Sequence, residues 1–278
     1  PIRLKGVSSH GIQWFPKLIT KETLTTLKDD WGINVFRIAM YTEESGYIAD
    51  KSLKKKVIEI IDNCIELDLY VVVDWHILSD GNPNKHVEDA KLFFDEISKK
   101  YKDKPNVIYE ICNEPNGNKS TWNDDIVPYA NTIIPIIREN SPKSLIIVGT
   151  PEWSKDLKSV VENKLEYKNI LYSCHFYAGT HGEELMAEID NAIKNNIPVI
   201  ISEWGTSTLT GGGGFFLENS QKWMKFLDER NISWINWSFS NADESSAILK
   251  GNNINLNNIN ENLSESGMYI KSIINTKK

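Results

Sequence analysis

Short apolar runs alternate with amphipathic segments from one end of the chain to the other. Eight such pairs fill 278 residues, or about 35 residues each. Most of the runs are too continuously apolar to be half exposed, as expected for parallel strands that are covered on their outer face. The alternation therefore predicts an α/β fold, a single (β/α)8 TIM barrel that spans residues 1–278. An open doubly wound sheet is the alternative, but its usual GxGxxG motif does not follow the first run.

The predicted strands are Ile2–Val7, Asn34–Met40, Tyr70–Trp75, Val107–Asn113, Leu145–Gly149, Ile170–His175, Val199–Glu203 and Ser233–Phe239. The predicted helices are Lys21–Trp31, Ser52–Leu67, Val87–Tyr101, Asp124–Asn140, Lys155–Val161, Glu183–Asn195, Phe216–Arg230 and Glu265–Ile274. In the second of these helices the apolar positions fall three or four residues apart, so one face is predicted to pack against the barrel.

Charge and cysteine usage exclude several classes of function. A net charge of −7 argues against a nucleic-acid partner, because proteins that bind nucleic acid concentrate positive charge. No run of 18 apolar residues occurs in the sequence, so we expect no membrane-spanning segment. Cys64, Cys112 and Cys174 have apolar neighbours and are odd in number, which predicts buried free thiols rather than a disulfide framework.

Two apolar runs end in a glutamate that is followed by a strand breaker. Val107–Asn113 leads into Glu114 and then Pro115, which lacks a backbone donor and stops a buried strand. The other run ends at Glu203, before Trp-Gly. Because chemistry in this architecture takes place at the carboxyl ends of strands, the two glutamates are predicted to face each other over the barrel axis. Paired carboxyl groups suit glycoside hydrolysis, and a separation of about 5–5.5 Å indicates a retaining enzyme.

Several polar residues near the strand ends could support such a pair. Arg37 lies inside an apolar run and needs a partner, because an unpaired buried charge is costly. We expect Arg37 and Tyr177 to keep Glu203 ionised, and Asn113 to bind a sugar hydroxyl.

Three of the five histidines, His10, His76 and His175, also fall at strand ends. Together with two glutamates they could form a metal site. Zinc and iron sites favour close spacings such as HxH or HxxxH, however, and the sequence contains neither. We therefore expect no metal and no other cofactor, and a metal-dependent barrel hydrolase is retained only as an alternative.

Aromatic residues recur beside the strand ends, among them Trp14, Tyr41, Trp153 and Trp237. The faces of pyranose rings are apolar and stack on indole, whereas ring hydroxyls pair with polar side chains. Aromatic platforms next to acidic groups, with no basic cluster, predict a neutral carbohydrate substrate.

Six motifs carry a resemblance to a known family. They are Leu4–Gly11 (LKGVSSHG), Asp74-Trp75-His76, Asn113-Glu114-Pro115, His175–Gly182 (HFYAGTHG), Glu203-Trp204-Gly205 and Trp234–Trp237 (WINW). Nearly end to end, the chain resembles the cellulase family of glycoside hydrolases, family five, and within it the secreted bacterial endo-β-1,4-glucanases. The resemblance implies hydrolysis of internal β-1,4-glucosidic bonds by a retaining double displacement that uses no metal.

The resemblance also implies roles for individual residues. Glu114 matches the acid/base and Glu203 matches the nucleophile. The family's positions around these two glutamates correspond here to Arg37, His76, Asn113, His175 and Tyr177. Among the family's substrate-binding positions, the one beneath the cleaved bond corresponds to Trp237 and those on the non-reducing side to His10 and Trp14. The position on the leaving-group side corresponds to Trp153, and a sugar-binding glutamate corresponds to Glu244. We include Tyr41, which follows a strand end, with these substrate-binding residues.

One departure from the family pattern is Ala242, where relatives as we align them carry lysine. A sugar contact on the non-reducing side is therefore expected to be missing. Mannan, mixed-linkage glucan, xylan or xyloglucan remain alternative substrates, and a non-catalytic carbohydrate-binding barrel is a second alternative.

We expect a secreted, extracellular monomer whose partner is a β-glucan polysaccharide or oligosaccharide, with a carbohydrate-binding module attached in a longer protein. Asn118, Asn231 and Asn262 begin triplets that match the glycosylation pattern, which is a weak signal.

Overall fold

Eight parallel strands pair in chain order, and the last pairs with the first to close a barrel. The computed structural model describes residues 2–117 and 120–275, so the triplet that begins at Asn118 lies outside the described residues. The strands are β1 (Lys5–Ser9), β2 (Val35–Tyr41), β3 (Tyr70–His76), β4 (Val107–Glu110), β5 (Ile146–Val148), β6 (Ile170–Tyr177), β7 (Val199–Gly205) and β8 (Trp234–Phe239). The predicted (β/α)8 barrel is confirmed.

Helices cover the outside of the barrel. They are α1 (Lys21–Thr26), α2 (Leu53–Glu66), α3 (Val87–Lys100), α4 (Val127–Asn140), α5 (Lys158–Glu162), α6 (Glu183–Lys194), α7 (Leu217–Glu229) and α8 (Glu265–Ile274). The short segment Pro151–Ser154 is instead a turn at the mouth of the barrel, with left-handed backbone at Glu152–Ser154. π-helical turns at Leu27–Trp31 and Trp122–Ile126 continue α1 and precede α4, and 3-10 turns occupy Pro83–His86 and Ile259–Asn262. Within the described ranges, no helix is both long and apolar enough to cross a membrane.

Several predicted boundaries were wrong by two or three residues, among them the ends of β6 at Tyr177 and of β7 at Gly205, each two residues later than predicted. Strand β1 is Lys5–Ser9 rather than Ile2–Val7, because its pairing with β8 begins at Lys5. Strand β4 ends at Glu110, three residues before the predicted end, because its pairing with β3 stops there and the chain bends toward the top of the barrel. The predicted helix Lys155–Val161 begins only at Lys158, because a turn with left-handed backbone conformation precedes it.

The barrel interior contains an apolar ring with a polar ring above it. The apolar ring consists of Leu4, Val35, Val72, Ile108, Ile147, Ile200 and Ile235. Alternate residues of a strand face the same side, so the residues two positions further along β2, β3, β4 and β7 also face inward. These are Arg37, Asp74, Glu110 and Ser202, and all four are fully buried. The strand register therefore places a set of charged and polar groups directly beneath the carboxyl-terminal mouth of the barrel.

The larger apolar cluster lies between the strands and the surrounding helices. Helix α2 contributes Val57, Ile60, Ile61 and Cys64, all buried, on the face that its sequence pattern predicts. Cys64, Cys112 and Cys174 are buried and free, as predicted. Burial raises the pKa of each thiol above its ordinary value.

Close approach of β1 to β2 requires Gly6. A Cβ added at Gly6 would lie 1.8 Å from the carbonyl oxygen of Val35. We expect Gly6→Ala to lower the free energy of unfolding by about 1–3 kcal/mol, the usual cost of overpacking, as measured by urea unfolding. Gly212→Ala is the control, since the nearest atom to its added Cβ is 3.8 Å away. An unchanged stability of Gly6→Ala would contradict this packing of the barrel.

Candidate active site

A single buried guanidinium organises the polar ring. Arg37 Nε donates to Glu110 Oε2 at 2.6 Å, and Nη1 donates to Glu203 Oε2 at 3.1 Å. Its Nη2 lies 3.0 Å from Asp74 Oδ2 and donates to Asn113 Oδ1 at 2.6 Å. All five side chains are 5% exposed or less, so each charge depends on these partners. The expected pairing of Arg37 with a strand-end carboxylate is present, with three carboxylates instead of one.

Glu203, on β7, is held from two directions. Tyr177 Oη donates to its Oε1 at 2.8 Å, while Arg37 occupies its Oε2. The burial of Tyr177 and the negative charges of Glu203 and Glu114 raise the pKa of the phenol well above its ordinary value, so Tyr177 remains a donor. Two donors fix the orientation of the Glu203 carboxylate and stabilise its negative charge.

Glu114 lies beyond β4 in a different environment. Its Oε1 is 2.8 Å from His175 Nδ1, and burial raises the pKa of Glu114 to about 8. One oxygen of Glu114, one oxygen of Glu203 and a ring nitrogen of His175 all lie within 4.8 Å of one another. The two carboxyl groups therefore approach each other closely, one in a site that favours its neutral form and the other beside two donors.

The hydrogen bonds of His175 locate the proton that it shares with Glu114. Ser202 Oγ donates its only hydrogen to Glu110 Oε1 at 2.6 Å. His175 Nε2 lies 2.9 Å from the same Ser202 oxygen and must therefore be the donor in that contact. Burial lowers the pKa of His175 to about 4, so the ring is neutral and its Nδ1 carries a lone pair. The hydrogen between Nδ1 and the carboxyl group thus belongs to Glu114, in agreement with its raised pKa.

A second chain of contacts orients Asn113. His76 Nδ1 lies 2.6 Å from Asp74 Oδ2, and its Nε2 lies 3.2 Å from Asn113 Nδ2. Burial lowers the pKa of His76 well below its ordinary value, so a neutral ring donates to Asp74 and accepts from Asn113. Asn113 Nδ2 also donates to the carbonyl of Ile77 at 3.1 Å. Both hydrogens of the Asn113 amide are therefore used, and donation to a sugar hydroxyl would require the long contact with His76 to give way.

Above these groups lies an open cleft of about 570 Å³. Trp14 and Trp153 are each 45% exposed, whereas Trp237 is nearly buried and stacks on His76 with ring centroids 5.4 Å apart. The peptide bond that follows Trp237 is cis. His10 Nε2 lies 3.5 Å from Glu244 Oε1, so these two residues form one side of the cleft.

The structure brings all thirteen predicted site residues together. Eleven of them line the cleft, namely His10, Trp14, Tyr41, His76, Glu114, Trp153, His175, Tyr177, Glu203, Trp237 and Glu244. Arg37 and Asn113 lie beneath it, fully buried.

Three buried partners, Asp74, Glu110 and Ser202, were not predicted as site residues, although Asp74 lies in one of the six motifs. Glu110 is a charge inside an apolar run, the same signal that identified Arg37, and could have been found from it. The missed residues of the cleft wall are Glu44, Leu78, Lys155, His181, Leu209, Thr210 and Gly211. His181 lies within the HFYAGTHG motif, and the others lie on loops without a sequence signal of their own.

Two groups of side chains in the described part of the chain have the spacing of a metal site. One is Glu114, His175 and Glu203, in which Glu114 already pairs with His175 and Glu203 already accepts from Arg37 and Tyr177. The other is Glu43, Asp80 and His86, and there Glu43 already pairs with Lys85. Catalysis without a metal stays a prediction.

Comparisons with known proteins agree on one family. A family model described as cellulase, glycosyl hydrolase family 5, matches residues 1–243. Endoglucanase A of Evansella cellulosilytica is 50% identical over 275 residues, which cover 99% of this chain and 56% of that protein. The chain thus spans little more than half the length of this relative.

Solved structures give the same result. "Cellulase Cel5C_n" is 41% identical with a TM-score of 0.94, and the match covers 100% of this chain and 88% of that one. A variant of the catalytic domain of Thermobifida fusca endoglucanase Cel5A, in complex with cellotetraose, is 34% identical with a TM-score of 0.92 and coverages of 99% and 92%.

The raised pKa of Glu114 has a measurable effect on stability. Between its ordinary pKa of 4.5 and about 8, the folded protein keeps a proton that the unfolded chain releases. The free energy of unfolding therefore falls as pH rises through this range. Glu114→Gln removes the titrating group, so its stability relative to the wild type should rise by about 2–5 kcal/mol from pH 5 to pH 8. Urea unfolding at several pH values measures the difference, and a constant difference would contradict the assignment.

Proposed function

Because the chain belongs to the cellulase family, glycosyl hydrolase family 5, we propose that it is an endo-β-1,4-glucanase that cleaves internal bonds of cellulose and related β-glucans with retention of configuration. The observation that carries the proposal is the approach of one carboxyl oxygen of Glu114 to one carboxyl oxygen of Glu203, within 4.8 Å. Retaining enzymes place their carboxyl groups about 5–5.5 Å apart, and inverting enzymes about 6.5–9.5 Å apart.

In the first step, Glu203 attacks the anomeric carbon and Glu114 gives its proton to the departing glycosidic oxygen. The C–O bond to the leaving chain breaks as the bond to Glu203 forms. Tyr177 and Arg37 hold the attacking carboxylate in place. Glu114 enters this step protonated, because burial raises its pKa to about 8 and His175 Nδ1 accepts its hydrogen.

In the second step, the Glu114 carboxylate takes a proton from water as the water oxygen attacks the anomeric carbon. The bond to Glu203 breaks, and both glutamates return to their starting states. Loss of the negative charge of Glu203 in the intermediate lets Glu114 ionise and act as base, since two neighbouring carboxylates resist simultaneous ionisation.

The substrate assignment depends on the shape and chemistry of the cleft. Trp14 and Trp153 line the cleft and are each 45% exposed, and Trp237 lies beside His76. The family resemblance implies that Trp14 and Trp153 lie on opposite sides of the cleaved bond, with Trp237 beneath it. Aromatic platforms on both sides of the glutamates suit a polymer that extends in both directions, as endo action requires. The related Cel5A variant was solved with cellotetraose, which supports a β-1,4-glucan.

We further propose that residues 1–278 form one catalytic domain, that it acts as a secreted monomer, and that a carbohydrate-binding module accompanies it in a longer protein. A polysaccharide substrate outside the cell favours secretion. The proposed catalytic and substrate-binding residues all belong to one barrel, so a monomer can hold the complete site. The greater length of the similar endoglucanase, of which this chain covers 56%, leaves room for a further module.

Azide distinguishes the two glutamates. Glu114→Ala should lose about 10²–10⁴-fold of its rate on cellooligosaccharides. With 2,4-dinitrophenyl cellobioside and azide it should form β-cellobiosyl azide, because azide enters where Glu114 directed water. Glu203→Ala is the matched variant, and there azide should attack the opposite face and give the α-azide. Proton NMR of the products measures the anomer, and exchange of the two anomers would reverse the roles.

A polysaccharide panel tests the substrate. Viscosity of soluble β-1,4-glucan should fall well before reducing ends accumulate, because internal bonds are cut first. Mannan, xylan and xyloglucan should be hydrolysed at least about 10-fold more slowly than β-1,4-glucan, because an enzyme discriminates between substrates by how well it binds their transition states. A preferred mannan or xylan would replace glucan in the proposal, and activity on none of them, with binding retained, would indicate a carbohydrate-binding barrel.

A further inference from the structure

Three successive backbone carbonyl groups around Glu114 each accept a hydrogen bond. The carbonyl of Asn113 accepts from Ser154 Oγ at 2.6 Å, and that of Glu114 accepts from Asn116 Nδ2 at 2.8 Å. The carbonyl of Pro115 accepts from the backbone N–H of Trp153 at 3.0 Å. Two of the three donors belong to consecutive residues of another loop, the one that follows β5.

That loop has an unusual backbone conformation. Glu152, Trp153 and Ser154 have φ of 55°, 58° and 55°, so three consecutive non-glycine residues are left-handed. Left-handed conformations are unfavourable for residues with a Cβ and tend to persist where surrounding structure requires them, often at functional sites. Here the conformation directs the Trp153 N–H and the Ser154 hydroxyl toward the same segment, the one that carries Glu114.

Ser154 is fully buried, and its hydroxyl is used in both directions. It accepts from the backbone N–H of Thr150 at 3.2 Å and gives its single hydrogen to the carbonyl of Asn113. The two loops are also in direct contact, since a Cβ added at Gly149 would lie 2.2 Å from the carbonyl oxygen of Cys112. The end of β5 and the segment that carries Glu114 therefore form one packed unit.

We propose that Ser154 is a positioning residue for the proton donor, and that the turn Glu152–Ser154 links the Trp153 platform to the placement of Glu114. The inference rests on the proposed function. Ser154 does not reach the cleft, so it acts by fixing the peptide that precedes Glu114. Trp153 lines the cleft with its ring and holds Pro115 with its backbone N–H, so the residue that contacts the leaving-group sugar also supports the acid.

The test compares two substrates that differ in their need for an acid. A 2,4-dinitrophenolate leaves without protonation, whereas the sugar hydroxyl of cellotetraose leaves only when it is protonated. Ser154→Ala should lower kcat/KM for cellotetraose about 10-fold, because small displacements of a catalytic group are costly. The value for 2,4-dinitrophenyl cellobioside should stay within about two-fold of the wild type.

Ser141→Ala is the matched control. Ser141 is also buried, and its hydroxyl donates to a backbone carbonyl, that of Ser98, away from the cleft. This variant should show the same ratio of the two kcat/KM values as the wild type. Ser154→Gly provides a second variant that lacks the hydroxyl but accepts a positive φ without strain, and it should match Ser154→Ala.

Trp153→Ala separates the ring from the backbone. It retains the N–H that holds Pro115, so it should raise KM for cellotetraose while the basic limb of the pH profile, which reports the ionisation of Glu114, stays where it is in the wild type. An equal loss on both substrates in Ser154→Ala and Ser154→Gly, or no loss on either, would overturn the positioning role. A wild type inactive on both substrates would instead overturn the proposed function.

Discussion

The structure depends on the burial of one guanidinium among carboxylates. Arg37 makes contacts of 2.6 to 3.1 Å with Glu110, Asp74 and Glu203, and none of the four side chains has appreciable access to water. Removal of Arg37 would leave three buried acidic groups without their counter-charge, and breaking a buried ion pair in this way is strongly destabilising. The same contacts of Arg37 orient the side chains of Glu203 and Asn113. The interactions that balance the buried charges therefore also set the geometry of the cleft.

From this shared base, the two glutamates of the cleft differ because their neighbours differ. Glu203 meets a phenol and a guanidinium, which both donate hydrogen bonds. Glu114 meets the lone pair of a neutral histidine, and burial raises its pKa to about 8. When one environment keeps a carboxyl group protonated and another keeps its neighbour ionised, the protonated group can act as the acid and the ionised group as the nucleophile. The proposed division of roles therefore follows from the structure of the site as well as from family membership.

Much of this arrangement could be predicted from the sequence. Parallel strands of a barrel end at one mouth, so Glu114 and Glu203 could be placed together without coordinates. The inward direction of Glu110 and Ser202 depends on strand register, which an apolar run does not reveal. Sequence also gave no sign of the turn at Glu152–Ser154, because Pro151 followed by helix-compatible residues resembles an ordinary helix start. Its left-handed backbone is imposed by contacts with residues nearly forty positions earlier, namely Asn113 and Pro115.

The three buried cysteines have a consequence for the surroundings in which this barrel can persist. Thiolate is the reactive form of cysteine, and burial keeps Cys64, Cys112 and Cys174 protonated by raising the pKa of each thiol. While the barrel is folded, the three sulfur atoms are therefore neither accessible to oxidants or to the disulfides of other molecules nor ionised, so they do not react with them. A protein with an odd number of cysteines can in this way remain free of covalent cross-links in an oxidising medium, protected by its packing and without any disulfide of its own.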